Sequence, residues 1–361
     1  MKRKAPTPTV HIEKRDPLVI ISHNVNGFAG RIENNLEEFK TFLLQHDPDI
    51  LLLQEAKLQC ADGPRQHSVH NGVNRGKDNR AQKVKHDALL KLFPPPRFLQ
   101  ESKDPVFKNY DIKYSLSRDP KKKSYAGTIC IYRRDIKIPM FRYWLDEQDE
   151  QHDEHGRIMI LEFQDYVLMN TYAPNNQTTV EGWERRRQWD LKMKTYVTQQ
   201  HNNKPLIWVG DLNTTSDDHD MDSPKYYRHD VYRASPKWTI PGEPGAGSGE
   251  TPWLNCHGDM GQPGCTMNEQ RRFADIRESG HLIDAYRHLH PVGAAAVEPG
   301  REAWTWRGSA GADGNPSSGR YWKRGMRIDY TLVHESLVNR IKRSEILGHG
   351  PTRIGFLGSD Q

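Results

Sequence analysis

Carboxylates and neutral amides recur in this chain directly after apolar runs. The segments are Asn24-Val25-Asn26-Gly27, Leu53-Gln54-Glu55-Ala56-Lys57, Asn170-Thr171-Tyr172-Ala173-Pro174-Asn175, Gly210-Asp211-Leu212-Asn213 and Arg327-Ile328-Asp329-Tyr330. Together they hold the parts for hydrolysis at an anionic centre: a carboxylate for a cation, another to take a proton from water, and neutral donors for growing negative charge. Glu55 closes an apolar run, and a carboxylate there is costly unless partnered. A hard cation such as Mg²⁺ would satisfy it; taken alone, Glu55 is served equally well by a basic side chain. Asp211 and Asn213 share one face of an extended segment, with Leu212 turned away. Asp211 could then hold or activate a water that Asn213 orients, although ordinary turn chemistry accounts for the same two residue types. Tyr172 and Asn175 flank the stiffening Pro174 and offer neutral donors suited to an oxyanion or phosphate; a buried tyrosine with a satisfied hydroxyl is the plainer alternative. Asp329 opens an alternating run, where a carboxylate would ordinarily orient an imidazole.

These groups act together only if the elements that carry them converge. Residues 18–22 and 49–54 read as buried strands, and Leu36, Phe39, Phe42 and Leu43 between them recur at helical spacing. That strand, helix, strand opening marks an α/β layer architecture. Further strands are predicted over 127–132, 157–163, 166–170 and 206–210, with a charged helix over 179–201. Each polar motif stands where a predicted strand ends, so strand ends on one side of a sheet would line a single cleft. Residues 1–15 read as a disordered basic arm and 16–361 as one catalytic domain. Polar stretches near 58–110, which contains Pro94-Pro95-Pro96, and 214–265 read as insertions, and 308–319 as a shorter loop.

Of the 361 residues, 35% are hydrophobic and 27% charged, so loops dilute the core. The formal charge of +5 is gathered in Lys2-Arg3-Lys4, Lys121-Lys122-Lys123, Arg185-Arg186-Arg187, Arg271-Arg272 and Lys323-Arg324. Such clusters suit a polyanionic partner, although each alone is equally a solvated face. No run approaches the roughly 20 apolar residues of a membrane span, and no signal-peptide apolar region opens the chain; a soluble intracellular protein without membrane attachment is expected. Cys60, Cys130, Cys256 and Cys265 are too scattered for a disulfide framework and read as free thiols. Cys256, His257 and Cys265 lack the spacing of structural zinc.

Taken in order, the motifs resemble the exonuclease III class of apurinic/apyrimidinic (AP) endonucleases, within the endonuclease/exonuclease/phosphatase superfamily. Two connecting segments are similar to that class in particular: Tyr172-Ala173-Pro174-Asn175 leading to Arg187-Gln188-Trp189-Asp190, and Thr266-Met267-Asn268-Glu269-Gln270-Arg271-Arg272-Phe273 leading to Leu282-Ile283-Asp284-Ala285-Tyr286-Arg287. The resemblance implies a DNase-like, four-layered α/β sandwich, two packed β-sheets flanked by helices. It implies Glu55 as a Mg²⁺ ligand, Asn26 and Asp360 near the metal, and Asn24 supporting them, with Mn²⁺ able to substitute. Asp211 would activate water and Asn213 orient it; Tyr172 and Asn175 would contact the scissile phosphate, and Trp304 and Trp306 would flank the extruded sugar. The implied partner is double-stranded DNA carrying abasic sites, met by a monomer and cut 5′ to the lesion, with 3′-5′ exonuclease or 3′-phosphodiesterase activity beside it. The basic arm is consistent with a nucleus, and equally with cytoplasm or an organelle. Gln361 departs from the pattern: the resemblance implies a histidine there, paired with Asp329 and followed by one more strand. An amide in its place predicts reduced turnover. A catalytically impaired abasic-DNA-binding protein and a phosphodiesterase acting on another substrate stand as the alternatives.

Overall fold

The computed structural model describes residues 18–58, 89, 91–93, 102–119, 121–122, 124–146, 154–177, 179–230, 261–292, 303–308, 321–349, 355, 357 and 359. The predicted basic arm, the central parts of the polar stretches, Cys60, Cys256, His257, Asp360 and Gln361 lie outside them.

The first sheet is built from β1 (Ile20–Asn24), β2 (Ile50–Gln54), β3 (Tyr110–Ser115) and β4 (Thr128–Arg133), in the order β1-β2-β4-β3. The second uses β5 (Met140–Arg142), β6 (Ile158–Glu162), β7 (Val167–Tyr172), β8 (Leu206–Asp211), β9 (Leu282–Asp284) and β12 (Asp329–His334), in the order β5-β6-β7-β8-β12-β9. A short ribbon pairs β10 (Trp306–Arg307) with β11 (Gly325–Met326).

Side-chain alternation explains the layering. Along β2, Leu51 and Leu53 pack with Phe39, Phe42 and Leu43 of helix α2 (Leu36–His46) and with Phe28 of helix α1 (Phe28–Asn34). Ile50 and Leu52 point the other way, meeting Met159, Leu161, Leu168 and Val209 of the second sheet. The alternate residues of that sheet, Ile158, Ile160, Met169 and Trp208, pack against Trp189, Met193 and Val197 of α3 (Val180–His201) and Phe273 of α4 (Met267–Ser279). A strand covered on both faces reads as a continuous apolar run, as β2 does. The order is therefore helices, sheet, sheet, helices, as expected. Two buried amides join the sheets: Gln54 Nε2 donates to Asn170 Oδ1 at 2.7 Å, and Asn170 Nδ2 to the Leu53 carbonyl at 3.2 Å. Among the described residues, no helix is long and apolar enough to cross a membrane.

Two of the stretches read as insertions contribute core. Leu89, Leu92, Phe93 and Phe107 belong to the first hydrophobic cluster, with Phe93 and Phe107 edge to face. Leu89, Leu92 and Phe93 stand at i, i+3, i+4 spacing just before Pro94-Pro95-Pro96, a short helical signal set in a stretch otherwise polar. In the other stretch Met221, Tyr227 and Cys265 pack with Met326 and Ile328. Cys130 and Cys265 are free thiols, both buried.

Candidate active site

Strand direction and register place the polar motifs at one end of the sandwich. β1 and β2 run parallel with Asn24 beside Gln54, and β7 and β8 run parallel with Tyr172 beside Asp211. β12 is antiparallel to β8, so its first residue, Asp329, is the one beside Asp211. The C-terminal ends of four strands and the start of a fifth thus meet.

Asn24 links the two sheets there. Its Nδ2 donates to Glu55 Oε1 at 3.0 Å and to Asp211 Oδ2 at 2.8 Å. Its Oδ1 accepts from the Asn26 amide at 3.0 Å. The Lys57 ammonium reaches both Glu55 Oε2 and Asn26 Oδ1, so the ion pair anticipated for Glu55 exists alongside its place in the cluster. Asp211 is fully buried, and burial first, then the charges of Asp329 and Glu55, hold its carboxyl well above the usual range, against hydrogen bonds from Asn213 and Asn24.

Asn213 departs from the extended backbone expected of it. Its φ is +48°, and its amide donates to Asp211 Oδ1 at 2.8 Å. The turn and the site are therefore the same structure, and Asn213 Nδ2 still lies 3.4 Å from Asp211 Oδ2. Leu212 is buried in the second core, as its position required. Asn26, Glu55 and Lys57 also hold left-handed backbone, with φ of 45°, 52° and 49°. Each such non-glycine residue costs on the order of 1–3 kcal/mol, and such strain persists where surrounding structure enforces it, commonly at functional sites. Gly210, before Asp211, has φ +132°, and a Cβ there would stand 2.0 Å from the Thr171 carbonyl. Only glycine lets β7 and β8 approach at this point.

Tyr172 is steadied from behind by Arg157, which donates to its carbonyl at 2.9 Å and to the Tyr125 hydroxyl at 2.9 Å. The guanidinium lies 4.7 Å from the Tyr172 ring centroid. Burial, with Glu55 second, raises the Tyr172 hydroxyl well above its ordinary value, while Arg157 opposes the shift. The hydroxyl therefore stays a neutral donor. Asn175 Nδ2 reaches Asn213 Oδ1 at 3.5 Å. Thr305, between Trp304 and Trp306, accepts from the amides of Ile328 and Asp329 at 3.0 Å each. Trp304 lies against Gly325, and Trp306 packs edge to face on Tyr321 at 5.6 Å. Both tryptophans thus stand beside the strand that delivers Asp329. Ser359 donates to the Asn24 carbonyl at 2.6 Å, placing the residue next to Asp360 at this end.

The model of the endonuclease/exonuclease/phosphatase family matches residues 21–360. The chain belongs to that family. An AP endonuclease of Arabidopsis thaliana is 31% identical over 96% of this chain and 84% of its own length. One from Plasmodium berghei (strain Anka) is 30% identical over 95% of this chain, which spans only 61% of that protein. Among solved structures, the AP endonuclease LMAP of Leishmania major aligns with a TM-score of 0.54 at 17% identity, covering 89% of this chain and 80% of its own, a likeness of fold.

The family's nucleases are metal-dependent hydrolases, and the strand-end residues fit a metal. The charges of Asp329 and Glu55 both bear on buried Asp211, and carboxylate oxygens are donors suited to a hard cation. Among the described residues, the group whose ligand atoms already lie within 4.8 Å of one another is Asp119, Glu154 and His155. It contains none of the strand-end residues. His155 Nε2 lies 3.4 Å from Asp119 Oδ2, and burial, with Arg157 second, pushes the imidazole down to about 4.

Sequence reasoning missed Arg157, Thr305 and the buried arginines. Arg186 is only 3% exposed, so the Arg185-Arg186-Arg187 cluster does not simply present three cations to a polyanion. Its i,i+4 partner Asp190 was the available signal.

Proposed function

We propose that this chain is a DNA-repair endonuclease that hydrolyses, with Mg²⁺, the phosphodiester 5′ to an abasic site. The observation that carries the reading is Asp211: a fully buried carboxylate of raised proton affinity, joined through Asn24 to Glu55 and flanked by Asn213 and Tyr172. A carboxylate so placed can take the proton of an attacking water in its ionised form, which a cation beside it would favour. Asn213 orients that water. Tyr172 and Asn175 donate to the non-bridging phosphate oxygens as charge grows on them. Glu55, Asn26 and Asp360 would hold the cation, which supplies Lewis-acid stabilisation of the phosphate; Mn²⁺ should substitute. Trp304 and Trp306 would flank the sugar, and an abasic nucleotide is cheap to extrude because no base must unstack. The AP endonucleases among the relatives support this substrate, a monomer suffices for it, and the Lys2-Arg3-Lys4 arm supports a nuclear location.

Gln361 favours a second reading, an abasic-DNA-binding protein of impaired turnover. Single-turnover assays on an abasic duplex, an intact duplex and single-stranded RNA, with Mg²⁺ and with chelator, decide the matter. Metal-dependent nicking 5′ to the lesion, leaving a 3′-hydroxyl, is expected. Tight abasic binding without nicking establishes the second reading; cleavage confined to RNA or intact DNA overturns both.

A further inference from the structure

We infer that Arg186 is a positioning residue that locks together the two loops carrying Asn175 and Asn213, and that turnover depends on this lock. The inference rests on the proposed hydrolytic role of those loops.

Arg186 stands on the inner face of α3, nearly devoid of solvent. Its NH1 group donates to the Pro174 carbonyl at 3.2 Å and to the Asn213 carbonyl at 3.1 Å. One nitrogen with two hydrogens thus bridges the loop after β7 to the loop after β8. Its Nε donates to Asp190 Oδ1 at 2.9 Å, and Arg272 Nε of α4 donates to Asp190 Oδ2 at 2.8 Å. The guanidinium plane is therefore fixed by a carboxylate itself held from a second helix. Arg185, the preceding residue, donates to the Asn175 carbonyl at 3.1 Å. The carbonyls of Pro174, Asn175 and Asn213 are so held by two adjacent arginines that the sequence presents as a surface cluster.

The loop is also pressed onto the helix that clamps it. A Cβ at Gly182 would stand 1.8 Å from the Asn176 carbonyl, and Asn176 Nδ2 donates to Glu269 Oε1 of α4 at 2.8 Å. A planar fork serves this purpose where an ammonium does not, because its donors point in fixed and different directions. The distance that matters is short: Asn213 Nδ2 is 3.4 Å from Asp211 Oδ2, and Asn175 Nδ2 is 3.5 Å from Asn213 Oδ1. Asn213 Nδ2 also donates to the Ala173 carbonyl at 2.9 Å, so the two loops meet at Asn213 itself, and a shift of either moves its side chain against Asp211; small misplacements at a reacting centre cost rate steeply.

The test is Arg186→Lys alone and combined with Asn213→Ala. Cleavage of an abasic duplex by the single variant should lose tenfold or more in kcat with KM little changed. In the Asn213→Ala background the same substitution should cost at least threefold less than in the unmodified chain, because one of the two side chains it positions is already gone. Losses that multiply would assign Arg186 to general stability and overturn the inference. Independently of cleavage, amide exchange over 173–177 and 212–215 should quicken in Arg186→Lys while β7 and β8 stay protected; unchanged exchange refutes the lock. That readout separates failure of the lock from failure of the proposed reaction, which an inactive unmodified chain would expose. If Arg186→Lys does not fold, Asp190→Asn, which keeps the arginine but weakens its aim, replaces it in both arms.

Discussion

Replacing Asp211 by asparagine should make the metal-free protein more stable while destroying its activity. Asp211 is fully buried, and the charges of Asp329 and Glu55 raise its pKa. Like charges about 5 Å apart at an effective dielectric near 20 repel by about 3 kcal/mol. Protonation and the hydrogen bonds from Asn24 and Asn213 relieve part of this. The neutral asparagine removes the repulsion but leaves one mismatched amide against Asn24 Nδ2, at about 1 kcal/mol. The net gain in chelator is about 1–2 kcal/mol, a rise in Tm of about 1–3 °C for a chain of this length. A carboxyl whose pKa is raised by folding contributes stability below its unfolded pKa and loses it as pH rises, so the variant's advantage should grow with pH. In Mg²⁺ at 100 times Kd, the unmodified chain gains about 2.7 kcal/mol, the variant gains less, and the order reverses. Loss of the base should lower the single-turnover rate by about 10²–10⁴-fold. Thermal unfolding in chelator and in Mg²⁺, with parallel cleavage assays, reads all three. A variant less stable than the unmodified chain in chelator, or one retaining more than a tenth of its activity, refutes the reasoning.

Acid should weaken the fold through His155. Its folded pKa of about 4 lies below the ordinary 6.5, so stability is full above pH 6.5 and falls toward pH 4, by about 3 kcal/mol in all; denaturant titrations across that range should show the slope, and His155→Asn should flatten it. Arg327→Met should cost about 3–5 kcal/mol in urea unfolding, because Asp220 and Asp284, each buried, lose an ion pair at 2.8 and 2.7 Å. A loss below 1 kcal/mol would mean that Arg287 and Tyr330 alone satisfy Asp220. Gln361→His should raise the cleavage rate by about a hundredfold, the scale of one charged donor aimed at a developing anion; an unchanged rate would remove that position from the chemistry.

Much of the candidate site was legible because its polar residues follow apolar strands abruptly. Ile50 to Leu53 could only be a strand covered on both faces, and Glu55 had to emerge at its end. What stayed hidden depends on partners distant in sequence. Arg186 reads as surface charge until Pro174 and Asn213 are seen against it. Asp220, set in a polar stretch, gains meaning only as counter-ion to Arg327 and Arg287. Burial first would raise its carboxyl, yet these two arginines hold it below the ordinary range. Phe107 has no period of its own, and the Leu89, Leu92, Phe93 spacing is too short to stand out in a polar stretch. The left-handed turn of Asn213 replaced an extended segment because its own amide caps Asp211, a preference that alternation of side chains does not reveal.

Metal binding at the strand ends is tested most directly by titrating the protein with Mn²⁺ and following free ion by electron paramagnetic resonance. A tight Mn²⁺ site should be lost in Glu55→Gln and kept in Asp119→Asn. Retention in Glu55→Gln with loss in Asp119→Asn would move the metal to the His155 group and contradict a hydrolytic centre built on Asn24, Glu55 and Asp211.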